Sequence, residues 1–333
     1  MQTLSQLSEI IESDNRINRR NFLKSLVLAG GLALVPSLEA RAGETLEEQS
    51  RSSTDSALEA RINSYIKSKR SSGYLGATDE TSITVYDIEN SRKIVSINED
   101  ARRMAASTIK NFVMLAIFDQ ITSGRINYNR RVKNLLEAMI RHSNNSATNS
   151  LINILGGPTN ANNIIKSKYS VFNETRIVEY IPRGGRTYKN TTSSHDLNIF
   201  YNQLWRNNLP YSSEMKRILS LPKTDRLFDR TCIPRGVSQY TKSGTVYGLV
   251  ADSGILVTRD VQGRQHPYAI TVIIEDKTKS YSKNRSRAGT WTRRRAELIR
   301  DISEGVYDFL YRSHIGKPYM CRQHNGRHLG GSQ

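Results

Sequence analysis

From residue 57 onward the apolar positions of this chain fall into clear periods. Leu58, Ile62 and Ile66 recur every fourth residue across residues 57–69, which predicts an amphipathic helix. Ser82-Ile83-Thr84-Val85-Tyr86-Asp87-Ile88 then alternates and is rich in β-branched residues. Residues 93–97 repeat the alternation after Glu89-Asn90-Ser91, so the two runs predict a β-hairpin. A helical block follows over residues 108–122, 132–142, 145–155 and 194–205, the last preceded by Thr192-Ser193-Ser194 as N-cap donors. Strand-like alternation returns at residues 239–241, 248–258 and 268–275, with Asp260-Val261-Gln262-Gly263 as a turn. Leu298, Ile302, Val306 and Leu310 set a closing helix over residues 292–311.

That order predicts an α/β protein of the α+β sandwich type. One antiparallel sheet would be built from both chain ends and covered by the terminal helices, with a mainly helical lobe inserted between. A cleft at the junction of the two lobes is the expected ligand site. Residues 43–56 and 313–333 lack periodicity and read as a flexible leader and a disordered tail, leaving 57–312 as the folded domain. Before the leader, Asn18-Arg19-Arg20-Asn21-Phe22-Leu23-Lys24 precedes an uncharged run of fourteen residues, 25–38, and then Ala40-Arg41-Ala42. Charged region, apolar region and small-residue cleavage site make residues 1–42 an export signal of twin-arginine type. The run falls short of the ~20 apolar residues that a membrane span requires, so a periplasmic or secreted protein without a stable span is expected.

Composition adds two points. With 37% hydrophobic and 24% charged residues the chain has the balance of a folded soluble protein, taken here as a monomer. Its net charge is +18, and because residues 1–42 hold five basic and four acidic side chains, cleavage leaves it at +17. Such a surface favours anionic neighbours, a wall polymer among them. Nucleic acid is not an expected partner, since no zinc-finger, RNA-binding or helix-turn-helix signature accompanies the charge. Cys232 and Cys321 are the only cysteines, and the sequence is compatible both with a bridge and with two free thiols.

Three short motifs carry the candidate chemistry. Ser107 and Lys110 are three apart at the start of a predicted helix, on one face, where an amine with a lowered pKa can take a proton from the hydroxyl. Ser143-Asn144-Asn145 follows the helix ending at His142 and places a hydroxyl and a carboxamide on one tight turn. Lys242-Ser243-Gly244-Thr245 lies on a strand, where Gly244 leaves the edge open to close approach and Lys242 offers a positive charge to a carboxylate.

In this order the three motifs resemble those of class A β-lactamases and the related penicillin-recognising serine hydrolases, with Ser-Asn-Asn in place of Ser-Asp-Asn and Lys-Ser-Gly in place of Lys-Thr-Gly. The resemblance spans residues 57–312, and Asn190-Thr191-Thr192-Ser193-Ser194-His195-Asp196-Leu197 also looks like the family's helix start behind the active-site loop. It implies the β-lactamase/transpeptidase-like sandwich. It also implies an acyl-enzyme on Ser107, with Lys110 as base or proton carrier and Ser143 passing the proton onward. Asn145 would hold the acyl side chain's amide, and Lys242 with Ser243 the substrate carboxylate. The backbone N–H groups of Ser107 and Thr245 would form the oxyanion hole. No cofactor and no metal are implied: Cys321, His324 and His328, with His314 nearby, mimic zinc spacing but sit in the aperiodic tail.

The sequence departs from the family in two places. Aligning Glu179-Tyr180-Ile181-Pro182 with the family's loop puts Glu174 at the water-activating glutamate, but Val178 stands where the family has asparagine. The Arg and Asp that lock the loop's base are not evident either. Glu174 therefore reads either as the deacylation base or as a solvated loop residue. In addition, only 36 residues separate Ser107 from Ser143, fewer than in the family, which predicts a more open cleft. The expected function is a serine β-lactamase-like hydrolase. The alternatives are a D-Ala-D-Ala peptidase or other wall hydrolase that deacylates slowly, and a non-catalytic wall-binding module. Substrates are thus a β-lactam or a peptidoglycan peptide.

Overall fold

Leu58, Ile62 and Ile66 are buried along one face of helix α1 (residues 57–71), as their fourfold spacing predicts. A computed structural model describes residues 57–280 and 288–316, all inside the compact unit Arg51–Gln333. The expected export signal and leader, and residues 317–333 of the expected tail, lie outside the described residues.

After α1 come the hairpin strands β1 (Glu80–Asp87) and β2 (Arg92–Ile97), paired Ile83 to Ile97 with a bulge at Val85/Tyr86. A two-residue strand β3 (Arg103–Met104) leads into the helical lobe. There α2 (Lys110–Thr122), α3 (Arg130–Arg141), α4 (Asn145–Ile154) and α5 (Pro158–Lys168) are followed by the short strand β4 (Thr191–Thr192), then α6 (Ser194–Trp205) and α7 (Ser212–Leu219). Asn129, Asn144 and Ser193 cap α3, α4 and α6, each side chain accepting a backbone N–H. The chain returns through β5 (Ser238–Val246), β6 (Leu249–Arg259) and β7 (Gln265–Glu275), a single helical turn at Lys277–Ser280, and α8 (Ala288–Ile315).

The five-stranded sheet has the order β2-β1-β7-β6-β5 and is antiparallel throughout, so the N-terminal hairpin joins the C-terminal strands at β1–β7. Both faces of β6 and β7 are covered. Leu249, Ala251, Ile255 and Val257 point to the helical lobe, whereas Val250 and Leu256 join the core under α1 and α8. Helix α2 is the axis of the lobe: Phe112-Val113-Met114-Leu115-Ala116-Ile117-Phe118 is apolar without a break, and every one of these residues is buried.

Several bounds differ from the sequence expectation. Strand β5 carries the Lys-Ser-Gly motif as expected, but it extends past the alternation at residues 239–241 to Val246 because its pairing with β6 continues to Val246–Leu249. Helix α8 reaches Ile315 and so includes His314, which the periodicity leaves in the tail. Helices α5 and α7 have no counterpart in the apolar pattern; each buries only three apolar side chains, Ala161, Ile164 and Ile165 in one and Met215, Ile218 and Leu219 in the other. Cys232 is disulfide-bonded, which decides the open question for the described cysteine; Cys321 lies outside the described residues. No helix among the described residues is long and apolar enough to cross a membrane.

Candidate active site

Ser107 reaches the site through an irregular entry to α2. The Ala105 amide donates to Asn190 O at 2.8 Å, Thr108 Oγ1 donates to Ala105 O at 2.6 Å, and a short 3-10 turn (Ala106–Ile109) delivers the serine. Ala106 sits at φ +44°, and Ser143 at φ +50°. Such left-handed non-glycine backbone costs ~1–3 kcal/mol per residue and persists only where surrounding packing imposes it. Both strained residues lie at the site: Ala106 precedes Ser107, and Ser143 itself carries the second hydroxyl.

Lys110 is fully buried. Its Nζ lies 3.0 Å from Ser107 Oγ, 3.0 Å from Ser143 Oγ, 2.7 Å from Ser143 O and 2.9 Å from Asn145 Oδ1. Burial, with the Lys242 ammonium nearby as the lesser cause, pushes its pKa down to about 6. A neutral amine has two N–H groups and one lone pair. The carbonyl oxygens of Ser143 and Asn145 can take both N–H groups, which leaves the lone pair for a hydroxyl proton.

Lys242 comes from the opposite side on β5. Its Nζ is 3.2 Å from Ser143 Oγ and 2.8 Å from Ser243 O, so the Ser143 hydroxyl stands between two buried amines. Burial lowers the Lys242 pKa to about 7; Asp252 opposes the shift, and Lys223 and Arg226 add to it. Asp252, buried on β6 opposite Ser243, is itself raised to about 7 by burial and by Asp225. Gly244 brings the strand edge onto the nucleophile: a Cβ here would lie 3.2 Å from Ser107 N and 3.2 Å from Ala105 O. The Gly244–Thr245 backbone therefore runs beside the Ser107 amide. Thr245 is exposed, and its Oγ1 accepts from Arg226 Nη2 at 2.6 Å.

Glu174 is held differently. Asp196 accepts from the Asn173, Glu174 and Thr175 amides, and the Glu174 carboxylate pairs with Arg102 Nε at 2.5 Å. Among the described residues no hydrogen bond or ion pair links Glu174 to Ser107 or Lys110. The loop that follows does have a lock, built from other residues than the Arg–Asp pair that the resemblance implies. Glu179 Oε1 accepts from Thr187 Oγ1, Tyr188 N and Lys189 N, Asn190 Oδ1 accepts from Val178 N and Glu179 N, and the Asn149 carboxamide bonds both N and O of Ile181. Val178 is half exposed. Between this loop and α4, beside Asn145, lies a cavity of about 530 Å³ lined in part by Asn149, Asn153, Tyr180 and Arg183.

The structure thus brings together Ser107, Lys110, Ser143, Asn145, Lys242 and Gly244, with Ser243 and Thr245 on the same strand, and leaves Glu174 on Arg102. Sequence reasoning missed Arg226, Asp225 and Asp252. Asp252 did leave a signal, the lone carboxylate in β6, a strand buried along almost its whole length.

Comparison with known proteins bears on the fold and the family. In fold the chain is similar to a point mutant of PBP-A solved as an acyl-enzyme complex with penicillin G (TM-score 0.60, 19% identity, 78% of this chain and 96% of that one). It is likewise similar in fold to a β-lactamase from Chitinophaga pinensis (TM-score 0.62, 14% identity, 78% and 99%) and to the chromosome-encoded β-lactamase of Vibrio parahaemolyticus (TM-score 0.60, 21% identity, 77% and 98%). A search of curated proteins finds no match. The beta-lactamase enzyme family, Beta-lactamase2, matches residues 57–133 and 129–310, which is most of the chain and all of the site, and the chain belongs to that family.

Proposed function

We propose that the protein is a serine β-lactamase-like hydrolase that opens β-lactam amides through an acyl-enzyme on Ser107. The observation that carries this reading is the buried Lys110 amine 3.0 Å from the Ser107 hydroxyl, in surroundings that push its pKa down to about 6. Lys110 takes the Ser107 proton as Oγ attacks the amide carbon, and the tetrahedral oxyanion forms against the Ser107 and Thr245 amides, each donor of this type being worth ~10²–10³ in rate. Ser143, within reach of both amines, passes a proton to the departing nitrogen. Lys242, with Ser243 and Thr245, receives the substrate carboxylate, and the Arg226 guanidinium on Thr245 adds a second cation there. Asn145 receives the acyl amide. Glu174 is the candidate base for the deacylating water. In this reading the protein works after export on the twin-arginine-type signal.

A second reading, a penicillin-binding wall hydrolase that releases its acyl group slowly, is favoured by one observation: Glu174 is engaged by Arg102. Intact-mass measurement over time after mixing with benzylpenicillin separates the two. A penicilloyl adduct that forms and clears within seconds to minutes supports the first; one that persists for hours supports the second. Absence of any adduct on wild-type protein, or an adduct of equal yield on Ser107→Ala, sinks both.

A further inference from the structure

At the end of the central strands far from Ser107, five ionisable side chains from four segments converge. His266 opens β7, His314 lies on the last turn of α8, Asp87 and Glu89 lie at the β1–β2 turn, and Asp260 lies in the β6–β7 turn. The two imidazoles stack, with ring centroids 4.5 Å apart and planes 21° off parallel. Their Nδ1 atoms face one oxygen: Glu89 Oε2 is 2.5 Å from His266 Nδ1 and 3.8 Å from His314 Nδ1. Their Nε2 atoms face two others, Asp260 Oδ2 at 3.4 Å and Asp87 Oδ2 at 3.6 Å.

Protons alone satisfy this arrangement poorly. Two imidazolium ions stacked 4.5 Å apart repel, and in any state with a neutral ring that ring has one N–H for the two carboxylates its nitrogens face. His266 shows the deficit directly, since it is 5% exposed and its Nε2 makes no hydrogen bond. A divalent cation at the shared edge resolves it. The Nδ1 lone pairs and Glu89 Oε2 become ligands, and both Nε2–H groups donate to Asp260 and Asp87. A carboxylate behind each ligating histidine is the outer shell that orients metal-bound imidazoles.

We propose that Glu89, His266 and His314 form a binding site for a zinc-class divalent metal ion that clasps the end of α8 to the β1–β2 turn. The candidate ligand atoms already lie within 4.8 Å of one another, close to the roughly 3.3 Å at which tetrahedral zinc holds its ligand atoms. Glu89 also lines a cavity of about 700 Å³ with Trp205, Arg206 and Gln265, which gives the ion an entry path and room for water as fourth ligand. The site is separate from the serine chemistry. His266 lies seven residues along β7 from Ile273, the residue in register with Ala251 and through it Gly244, a separation of roughly 23 Å at ~3.3 Å per residue. The proposed ligands include none of the sequence candidates Cys321, His324 and His328.

The test is a titration of Zn²⁺ alone into chelator-treated full chain, read by calorimetry and by the shift in Tm. One equivalent binds and raises Tm. Glu89→Gln and His314→Gln each weaken binding at least tenfold, and Asp260→Asn weakens it ~10–100-fold. Penicillin acylation at Ser107 is the same with and without Zn²⁺, so this outcome does not depend on the proposed reaction. Glu89 is exposed, so its variant tests the site even where His266→Gln fails to fold. Two results overturn the proposal: no saturable binding to wild-type protein, or one-equivalent binding that survives Glu89→Gln and His314→Gln but is lost in His324→Gln/His328→Gln.

Discussion

Lys110 and Lys242 each approach one hydroxyl, Ser143 Oγ, at 3.0 and 3.2 Å, so their nitrogens are at most about 6 Å apart. At an effective dielectric constant of ~20, two positive charges at that distance repel by about 3 kcal/mol, more than two pH units' worth of proton affinity. One amine must yield first, and the surroundings choose which. Burial depresses both amines first of all; Asp252 supports the Lys242 charge, while the hydrogen-bond partners of Lys110 are neutral, so Lys110 releases its proton near 6 and Lys242 near 7. The sign of each limb follows. A general base works when deprotonated, so acylation rises with pH through about 6; a carboxylate receptor works when charged, so acylation falls through about 7. The acylation kcat/KM is expected to trace a narrow bell with those limbs, which belong to the coupled pair. Lys242→Arg keeps its charge at all working pH, so the alkaline limb moves up by more than one unit while the acid limb stays. A stopped-flow pH series on both proteins checks this, and an alkaline limb that stays in place in the variant removes Lys242 from the assignment.

At the scale of elements, two glycines on paired strands have opposite duties. Gly254 faces Thr241, and a Cβ there would lie 2.7 Å from Tyr240 O, too close for any side chain without parting β5 from β6. Gly244 has room within the sheet, its tightest contacts being Thr108, Ala105 O and Ser107 N at 3.1–3.2 Å. Gly254→Ala should therefore lower stability by ~1–3 kcal/mol, the usual cost of overpacking. Gly244→Ala should cost under ~1 kcal/mol yet reduce acylation at least tenfold, because it pushes the strand edge off the oxyanion position. Denaturant melts and acylation rates on both variants decide it; equal stability losses would place Gly244 in the fold rather than the site. The same scale explains what was legible in the sequence. Ser107/Lys110, Ser143/Asn145 and Lys242–Thr245 could be read because each motif is local, and the hairpin and α2 because their apolar patterns are strong. Helix α5 could not, since Gly156-Gly157-Pro158 and an asparagine-rich stretch mask a short apolar face. Nor could the carboxylates around Lys242, the Asn149–Ile181 loop lock or the Glu89–His266–His314 cluster, each assembled from segments far apart along the chain.

Taken whole, the described molecule has two cores and one sheet between them. Phe112, Phe172 and Phe200 anchor the core of the helical lobe, and Leu58, Ile302 and Leu310 the one under α1 and α8. Neither core is complete without β6 and β7, whose alternating side chains enter both, and β7 also holds the N-terminal hairpin through β1. Loss of these strands opens both cores at once, so the lobes cannot melt independently even though the chain is large enough for intermediates to be common. The chain has only two tryptophans, and they divide between the cores: Trp205 packs against the helical lobe, and Trp291 is buried on α8. Trp291→Phe thus leaves a reporter of one core, and Trp205→Phe a reporter of the other. Each variant's fluorescence transition in guanidinium chloride should coincide with its own far-UV circular dichroism transition. Because Phe is a mild replacement at either site, the two midpoints should also agree within about 0.3 M once each is corrected for its own stability change. A fluorescence transition that precedes the circular dichroism transition in one variant alone would show that core opening while the shared strands remain paired, and the sheet would then divide the molecule rather than unite it.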